Sequence, residues 1–231
     1  MTPSVDWATP ALQTRVIVFT RYPQPGQTKT RLIPALGAEG AADLQRLMTE
    51  HLLARLRPGV DRGLFSLEVH FTGGSLAQMQ AWLGAEMSCR GQVGTCLGDR
   101  LTSAFRHNFE ASLAPVIALG SDCPDIDTER VLQAVAGLHQ SDLVLGPAAD
   151  GGYYLIGLRR FYPQLFRHIA WGSADVLHQT TQVAKSHNLS MTFLSPLADI
   201  DRPEDLPIWD RLYNSDDRAT VGLSSSPQTE L

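Results

Sequence analysis

The sequence predicts a single-domain α/β protein built on a mostly parallel, twisted sheet with helices on both faces. Short apolar runs rich in β-branched residues alternate along the chain with segments whose apolar residues recur at helical spacing. The 231 residues are long for an average domain but common for one α/β domain, and they bury a full core without disulfides or a structural metal. Polar and glycine-rich loops follow the apolar runs, at the strand ends where open α/β sheets bind their ligands.

The elements follow in order. Residues 1–14 read as a loose leader and 15–213 as the domain, and the Ser-rich stretch 214–231 has the polar composition of a disordered tail. Arg15–Thr20 (RVIVFT) is a buried-strand pattern, and Arg21–Pro34 is a Pro/Gly-rich loop. Leu44, Leu47, Met48, Leu52 and Leu56 set a helix over Glu39–Arg57, which Pro58-Gly59 is expected to stop. Leu64–Thr72 alternates as a strand, and Leu76–Leu83 is a short helix. Leu101–Leu113 is a helix with Phe105 and Phe109 four apart, and Pro115–Gly120 is a second buried strand. Thr128–Leu138 is helical, Leu143–Leu145 and Tyr153–Gly157 are strand-like, Ala174–His187 is a helix and Met191–Leu194 a strand. Pro203–Leu212 opens with proline at a helix start.

Bulk properties narrow the function. The net charge of −5 disfavours a general nucleic-acid binder. Cys89, Cys96 and Cys123 are odd in number and widely spaced, which excludes a disulfide framework or a Cys-rich zinc site and suits a reducing cytoplasm. The N-terminal residues lack a signal-peptide core, and no stretch reaches the ~18 apolar residues of a membrane helix. A cytoplasmic protein with no membrane partner is expected, and the oligomeric state stays open. The seven histidines form no ligand cluster in the sequence.

Chemistry concentrates in the loops. In Arg21–Leu32 (RYPQPGQTKTRL), Gly26 permits a tight turn and prolines stiffen the chain. Lys29 and Arg31, two apart, point to one side of an extended segment and suit a phosphate. Thr28 stands where a P-loop needs glycine, and an exposed basic turn is the plain alternative. Gly98 and Arg100, in a Leu97–Leu101 stretch that opens a helix, extend this candidate set for phosphate or nucleotide, unless the glycine-acid pair is ordinary capping. Asp122, after an apolar strand, is placed to hold a hard cation, whereas Asp125 and Asp127 fit helix capping. Asp150-Gly151-Gly152-Tyr153 is both a turn signal and a candidate wall of the substrate pocket. Asp199 and Asp201 face one way if extended and can chelate Mg²⁺ or Mn²⁺; the alternative makes Asp201 an N-cap.

In this order the stretches FTRYPQPG with KTRL, LGDRL, GSDCP, GPxxDGGYYLIG and DID with PEDL resemble the DUF2064 group of bacterial proteins, described as glycosyltransferase-like. The resemblance spans about residues 15–213 and implies the GT-A, or nucleotide-diphospho-sugar transferase, fold. More distantly the chain is similar to guanylyltransferases that activate phospholactate or phosphoenolpyruvate. That similarity implies phosphate at Lys29 and Arg31, metal at Asp122, Asp199 and Asp201, and a pocket lined by Asp150, Gly151 and Gly152. One departure stands out: the family's Gly-Asp before Leu-Gly is Thr95-Cys96 here. The function this implies is a Mg²⁺- or Mn²⁺-dependent transferase acting on a nucleotide-activated donor, most directly a glycosyltransferase using a nucleotide sugar. The alternatives are a nucleotidyltransferase using a nucleoside triphosphate and a phosphorylated small-molecule acceptor, and a catalytically degenerate nucleotide-binding module. No general base stands out.

Overall fold

The structure, a computed structural model, describes residues 13–212. The expected leader therefore falls outside the described residues up to residue 12, and the tail entirely so. The elements are β1 (Arg15–Arg21), a 3-10 turn (Thr30–Leu32), α1 (Ile33–Asp61), β2 (Ser66–Thr72), α2 (Leu76–Leu83), β3 (Cys89–Gly91) and α3 (Leu97–Ala111). Then come β4 (Val116–Gly120), α4 (Thr128–Gln140), β5 (Leu143–Pro147), β6 (Tyr153–Leu158), a 3-10 turn (Pro163–Phe166), α5 (Val176–Ser186) and β7 (Met191–Phe193). A last 3-10 turn (Pro203–Asp205) leads into helical residues 206–212.

The strands form one sheet in the order β3-β2-β1-β4-β6-β5-β7. All neighbours run parallel except at β6, which is antiparallel to both β4 and β5. Side chains alternate across the sheet as the strand period requires. Val16 and Val18 join Ile117 and Leu119 against Leu52 and Leu56 of α1, Met79 of α2 and Val131 and Leu138 of α4. Ile17, Val116 and Ala118 face the other way, onto Leu101 and Phe105 of α3 and Ala184 of α5. Covering both faces explains why β1 and β4 read as unbroken apolar runs.

Two helix ends differ from the sequence expectation. The helix does not stop at Pro58-Gly59: α1 runs to Asp61, because proline is tolerated in this last turn and Pro58 supplies a carbonyl to Arg62 N–H at 3.3 Å. Gly59 is there for closeness, since a Cβ would lie 2.4 Å from the Phe65 ring. The start of α1 is kinked at Gly37 (φ 72°, ψ 172°), so its regular body begins near the expected Glu39. The other is α3, which opens at Leu97 as the Leu97–Leu101 stretch indicates but ends at Ala111 rather than Leu113. The strand β3 was not anticipated: three residues at a sheet edge are too few to show a period.

Candidate functional site

The loop after β1 folds back on itself. Gly26 turns at φ 76°, and the buried Thr28 hydroxyl donates to Tyr22 O at 3.0 Å and accepts from Gln24 N–H at 3.2 Å. Arg21 braces the turn through Nη1 to Gln27 O at 2.7 Å. Lys29 then takes a left-handed conformation (φ 48°, ψ 44°) as the residue before the 3-10 turn. Few non-glycine residues adopt it, and where they do the surroundings must hold them there. The segment is thus not extended, and Lys29 and Arg31 diverge. Lys29 turns inward until its side chain is 4% exposed, with Nζ 2.8 Å from Asp122 Oδ1 and 2.6 Å from Ile200 O. Arg31 stays 62% exposed and pairs with Asp201. Both still line the same groove.

Asp122 lies just past β4, its side chain half exposed. The chain at Asp199–Asp201 is held against it by Ile200 N–H to Asp122 O, 3.0 Å. Ile200 is fully buried among Leu32, Met48 and Trp209, an anchor worth about 1.5–3 kcal/mol. Asp201 pairs with Arg31, while Asp199 is half buried and has its pKa raised by that burial and then by Asp150 and Asp122. The nearby Cys123 thiol is also pushed up, by burial first and then by Asp122 and Asp199. Asp199 and Asp201 lie outside the strands, in the segment between β7 and the last 3-10 turn. Asp201 does not cap the following turn: Asp205 does, accepting from Asp201 N–H at 3.1 Å and Arg202 N–H at 2.8 Å. Among the described residues, no group of three or more His, Cys, Asp or Glu side chains is arranged to hold a metal ion. Asp122, Asp199 and Asp201 therefore do not form a ready ligand set here, and two of the three are already paired with Lys29 and Arg31.

At the ends of β1, β2 and β4 lies a groove of about 330 Å³. Four cationic side chains line it, Arg21, Lys29, Arg31 and Arg100, with Asp122 and Asp201 as the carboxylates. Since those two carboxylates are paired with Lys29 and Arg31, the positive excess comes from Arg21 and Arg100. Among the described residues Arg100 is held by a bond from Nε to Gly94 O, 3.2 Å, and its terminal nitrogens carry further donors. The floor is a network that sequence reasoning missed. Gln45 Nε2 lies 3.1 Å from Thr20 Oγ1, 3.2 Å from Thr49 Oγ1 and 3.1 Å from Ser121 Oγ. A signal for it existed: Gln45 and Thr49 are polar residues four apart beside the apolar stripe of α1. Gln92, also missed, donates both amide hydrogens to backbone, to Thr20 O at 3.3 Å and His70 O at 2.8 Å.

The other candidates sit around this groove. Gly98 faces Trp171 and Phe166, where a Cβ would lie 2.4 Å from Nε1 and 2.6 Å from the carbonyl, so its small size serves the packing of α3. Cys96 is the N-cap of α3, its sulfur accepting from Asp99 N–H at 3.5 Å. Asp150 closes the turn between antiparallel β5 and β6, accepting from Gly152 N–H at 2.8 Å. Gly151 (φ 90°) leaves room for the backbone at Ala174, which a Cβ would meet at 2.2 Å. Tyr153 packs edge-on against Trp171 and, its hydroxyl buried, lines a small apolar hollow with Phe19 and Leu97 beside the groove.

The mostly parallel sheet with one reversed strand is the fold of nucleotide-diphospho-sugar transferase-like proteins. The chain is similar over 86% of its length to 87% of a Desulfovibrio desulfuricans G20 protein provisionally assigned as a nucleotide-diphospho-sugar transferase, with 34% identity and a TM-score of 0.80. Residues 56–173 match DUF2064, a family described as uncharacterized protein conserved in bacteria, and the chain belongs to that family. Two other structures share the fold alone. One is the 4-diphosphocytidyl-2C-methyl-D-erythritol synthase of Anaerococcus prevotii DSM 20548 (10% identity, TM-score 0.55, 87% of this chain and 96% of that one). The other is a cytidylyltransferase of Leptospira borgpetersenii serovar Hardjo-bovis JB197 (12% identity, TM-score 0.53, 94% and 100%). No curated protein matches the chain. Among the described residues, no helix is long and apolar enough to cross a membrane.

Proposed function

We propose that this protein is a transferase acting on a nucleotide-activated donor, with a nucleotide sugar as that donor. The observation that carries the reading is the convergence of Arg21, Lys29, Arg31 and Arg100 on one groove at the strand ends. Charge-assisted bonds from such side chains recognise phosphate oxygens, and Arg does so through two parallel N–H groups. Arg21 and Arg100 bind the donor phosphates, and Lys29 and Arg31 complete the field. When the bond to the transferred group breaks, negative charge grows on the departing phosphate. Fixed cations in a groove with a buried polar floor stabilise that charge without reorganising. The apolar hollow at Phe19, Leu97 and Tyr153 borders the donor site, and Asp150, Gly151 and Gly152 belong to the acceptor side.

The Desulfovibrio relative's provisional assignment supports the sugar donor. Nucleotidyl transfer from a nucleoside triphosphate to a phosphorylated acceptor is the second reading, favoured by the four-cation groove, which suits a triphosphate equally well. A divalent ion, Mg²⁺ or Mn²⁺, belongs to both readings, with Asp122, Asp199 and Asp201 as its proposed ligands. Their present pairing does not fit a bound ion, so no step is assigned to one. Cys89, Cys96 and Cys123 are free thiols, in keeping with a cytoplasmic enzyme. The decisive experiment is a thermal-shift panel of nucleotide sugars and nucleoside triphosphates with and without Mn²⁺, followed by product analysis on any ligand that stabilises. Release of a nucleoside diphosphate supports glycosyl transfer, and pyrophosphate supports the second reading. Binding without turnover on any acceptor would leave a nucleotide-binding module, and no stabilisation by any nucleotide would remove the proposal.

A further inference from the structure

Two loops from distant parts of the chain meet on one side-chain nitrogen. Lys29 Nζ is 2.8 Å from Asp122 Oδ1, just past β4, and 2.6 Å from the Ile200 carbonyl oxygen. A carboxylate and a backbone carbonyl are the hard oxygen donors that a divalent cation takes. Here a lysine ammonium has them, although its loop is at the surface and lysines ordinarily keep their charge in water. The left-handed backbone of Lys29 (φ 48°, ψ 44°) turns the side chain inward, where it is 4% exposed. The second carboxylate of the groove, Asp201, is paired in the same way with Arg31.

We propose that Lys29 is a positioning residue that serves as the resident cation of the groove: it ties the Asp122 loop to the Ile200 loop and withholds Asp122 from a free divalent ion. Two of the three N–H groups of the ammonium are used by Asp122 and Ile200, which leaves one for an anion entering the groove that Lys29 lines. The free protein is therefore a weak metal binder. Removing the ammonium frees both oxygens and also removes a positive charge beside them, so the groove gains affinity for a divalent ion. This inference stands on the Lys29 geometry and is independent of which nucleotide, if any, the groove takes.

The experiment is titration of the full chain with Mn²⁺ alone, with free Mn²⁺ followed by electron paramagnetic resonance. Lys29→Met is expected to bind Mn²⁺ about tenfold more tightly than wild type or better, because a like charge within contact distance is gone. Lys29→Arg keeps the charge and should behave as wild type. The double variant Lys29→Met/Asp122→Asn should lose the gain. The proposal is overturned if Lys29→Met binds no more tightly than wild type, or if the gain survives in the double variant. Circular dichroism checks that each variant is folded. If Lys29→Met is not, Lys29→Leu takes its place, a neutral side chain that likewise cannot donate to Asp122. The wild-type titration decides independently, since saturation at micromolar Mn²⁺ would mean that Lys29 does not withhold Asp122.

Discussion

Gln45 Nε2 lies 3.1 Å from the Ser121 hydroxyl, so the middle of α1 is bonded to the residue that follows β4. That amide also reaches Thr20 and Thr49, and the Thr20 and Ser121 hydroxyls lie 3.2 Å apart. Gln45→Leu keeps the volume but strips the amide from three buried hydroxyls, which retain only the contacts Thr20–Thr49 at 2.9 Å and Thr20–Ser121 at 3.2 Å and the Thr49 bond to the residue 45 carbonyl at 2.9 Å. The expected cost is about 1–3 kcal/mol in urea unfolding. A variant as stable as wild type would mean that the hydroxyls satisfy one another without Gln45.

Arg21 and Arg100 should separate binding from stability. Each makes one hydrogen bond to a backbone carbonyl, at Gln27 and Gly94, and neither is buried. Arg21→Ala or Arg100→Ala is expected to weaken nucleotide binding by about 10–100-fold, the loss of about 1.5–3 kcal/mol for a charge-assisted bond, with the melting temperature nearly unchanged. Calorimetric titration of the ligand found in the thermal-shift panel checks this. Unaltered affinity would take the residue out of the phosphate set.

On β2, the Glu68 carboxylate meets His70 Nε2 at 2.8 Å and Arg90 Nε at 3.4 Å. Burial pushes its pKa up, but the hydrogen bond and charge of His70, with Arg90, prevail and bring it from 4.5 to about 2. A depressed carboxylate stabilises the fold above its unfolded pKa and loses that contribution as pH falls toward the folded one. The stabilisation, about 2 kcal/mol after allowance for water at a half-buried site, should be present at pH 6 and fade between about pH 4.5 and 2. Urea unfolding of wild type and Glu68→Gln across that range should converge at the acid end; a constant gap would show that the proton plays no part.

The N-cap of α3 is Cys96, whose sulfur makes a long 3.5 Å contact with Asp99 N–H. Carboxylates cap helix N-termini far better than thiols. Cys96→Asp is expected to add about 1 kcal/mol and raise the melting temperature by about 2–4 °C. The Asp99 carboxylate already accepts from Thr95 N–H and Oγ1 at 3.1 and 2.6 Å, so a lower melting temperature would mean that repulsion between the two acids outweighs the cap.

The sheet was legible where its own pattern suffices. Val16–Phe19 and Val116–Leu119 are apolar because helices cover both faces, and that burial is written directly into residue type. Asp127, read as a cap, does accept Arg130 N–H at 2.8 Å. The loops that carry charge were also found, because Lys29, Arg31, Asp122 and Asp201 stand out in sequence. What escaped is how they are joined. No local rule says that Lys29 reaches Ile200, 171 positions away. Nor does spacing reveal that Ile200, between two aspartates, is buried, since that depends on Leu32, Met48 and Trp209. Gln45 and Gln92 were passed over because an uncharged amide in a helix or loop has no signature until its partners are known.

The reversed strand β6 has a kinetic meaning. It pairs with β5 through the short Asp150–Gly152 turn, so this hairpin closes over few residues, whereas β1 must find β4 across most of an α/β half, pairing Val16 with Ile117. Local pairings form before distant ones because loop closure costs entropy first. The hairpin should therefore lead refolding and the β1–β4 seam, with the Lys29–Asp122 junction above it, should form late. In stopped-flow refolding, Leu145→Ala is expected to slow folding and Val18→Ala chiefly to speed unfolding. On this order the groove, which sits above the β1–β4 seam, is assembled late, after the β5–β6 hairpin that supplies the other half of the sheet.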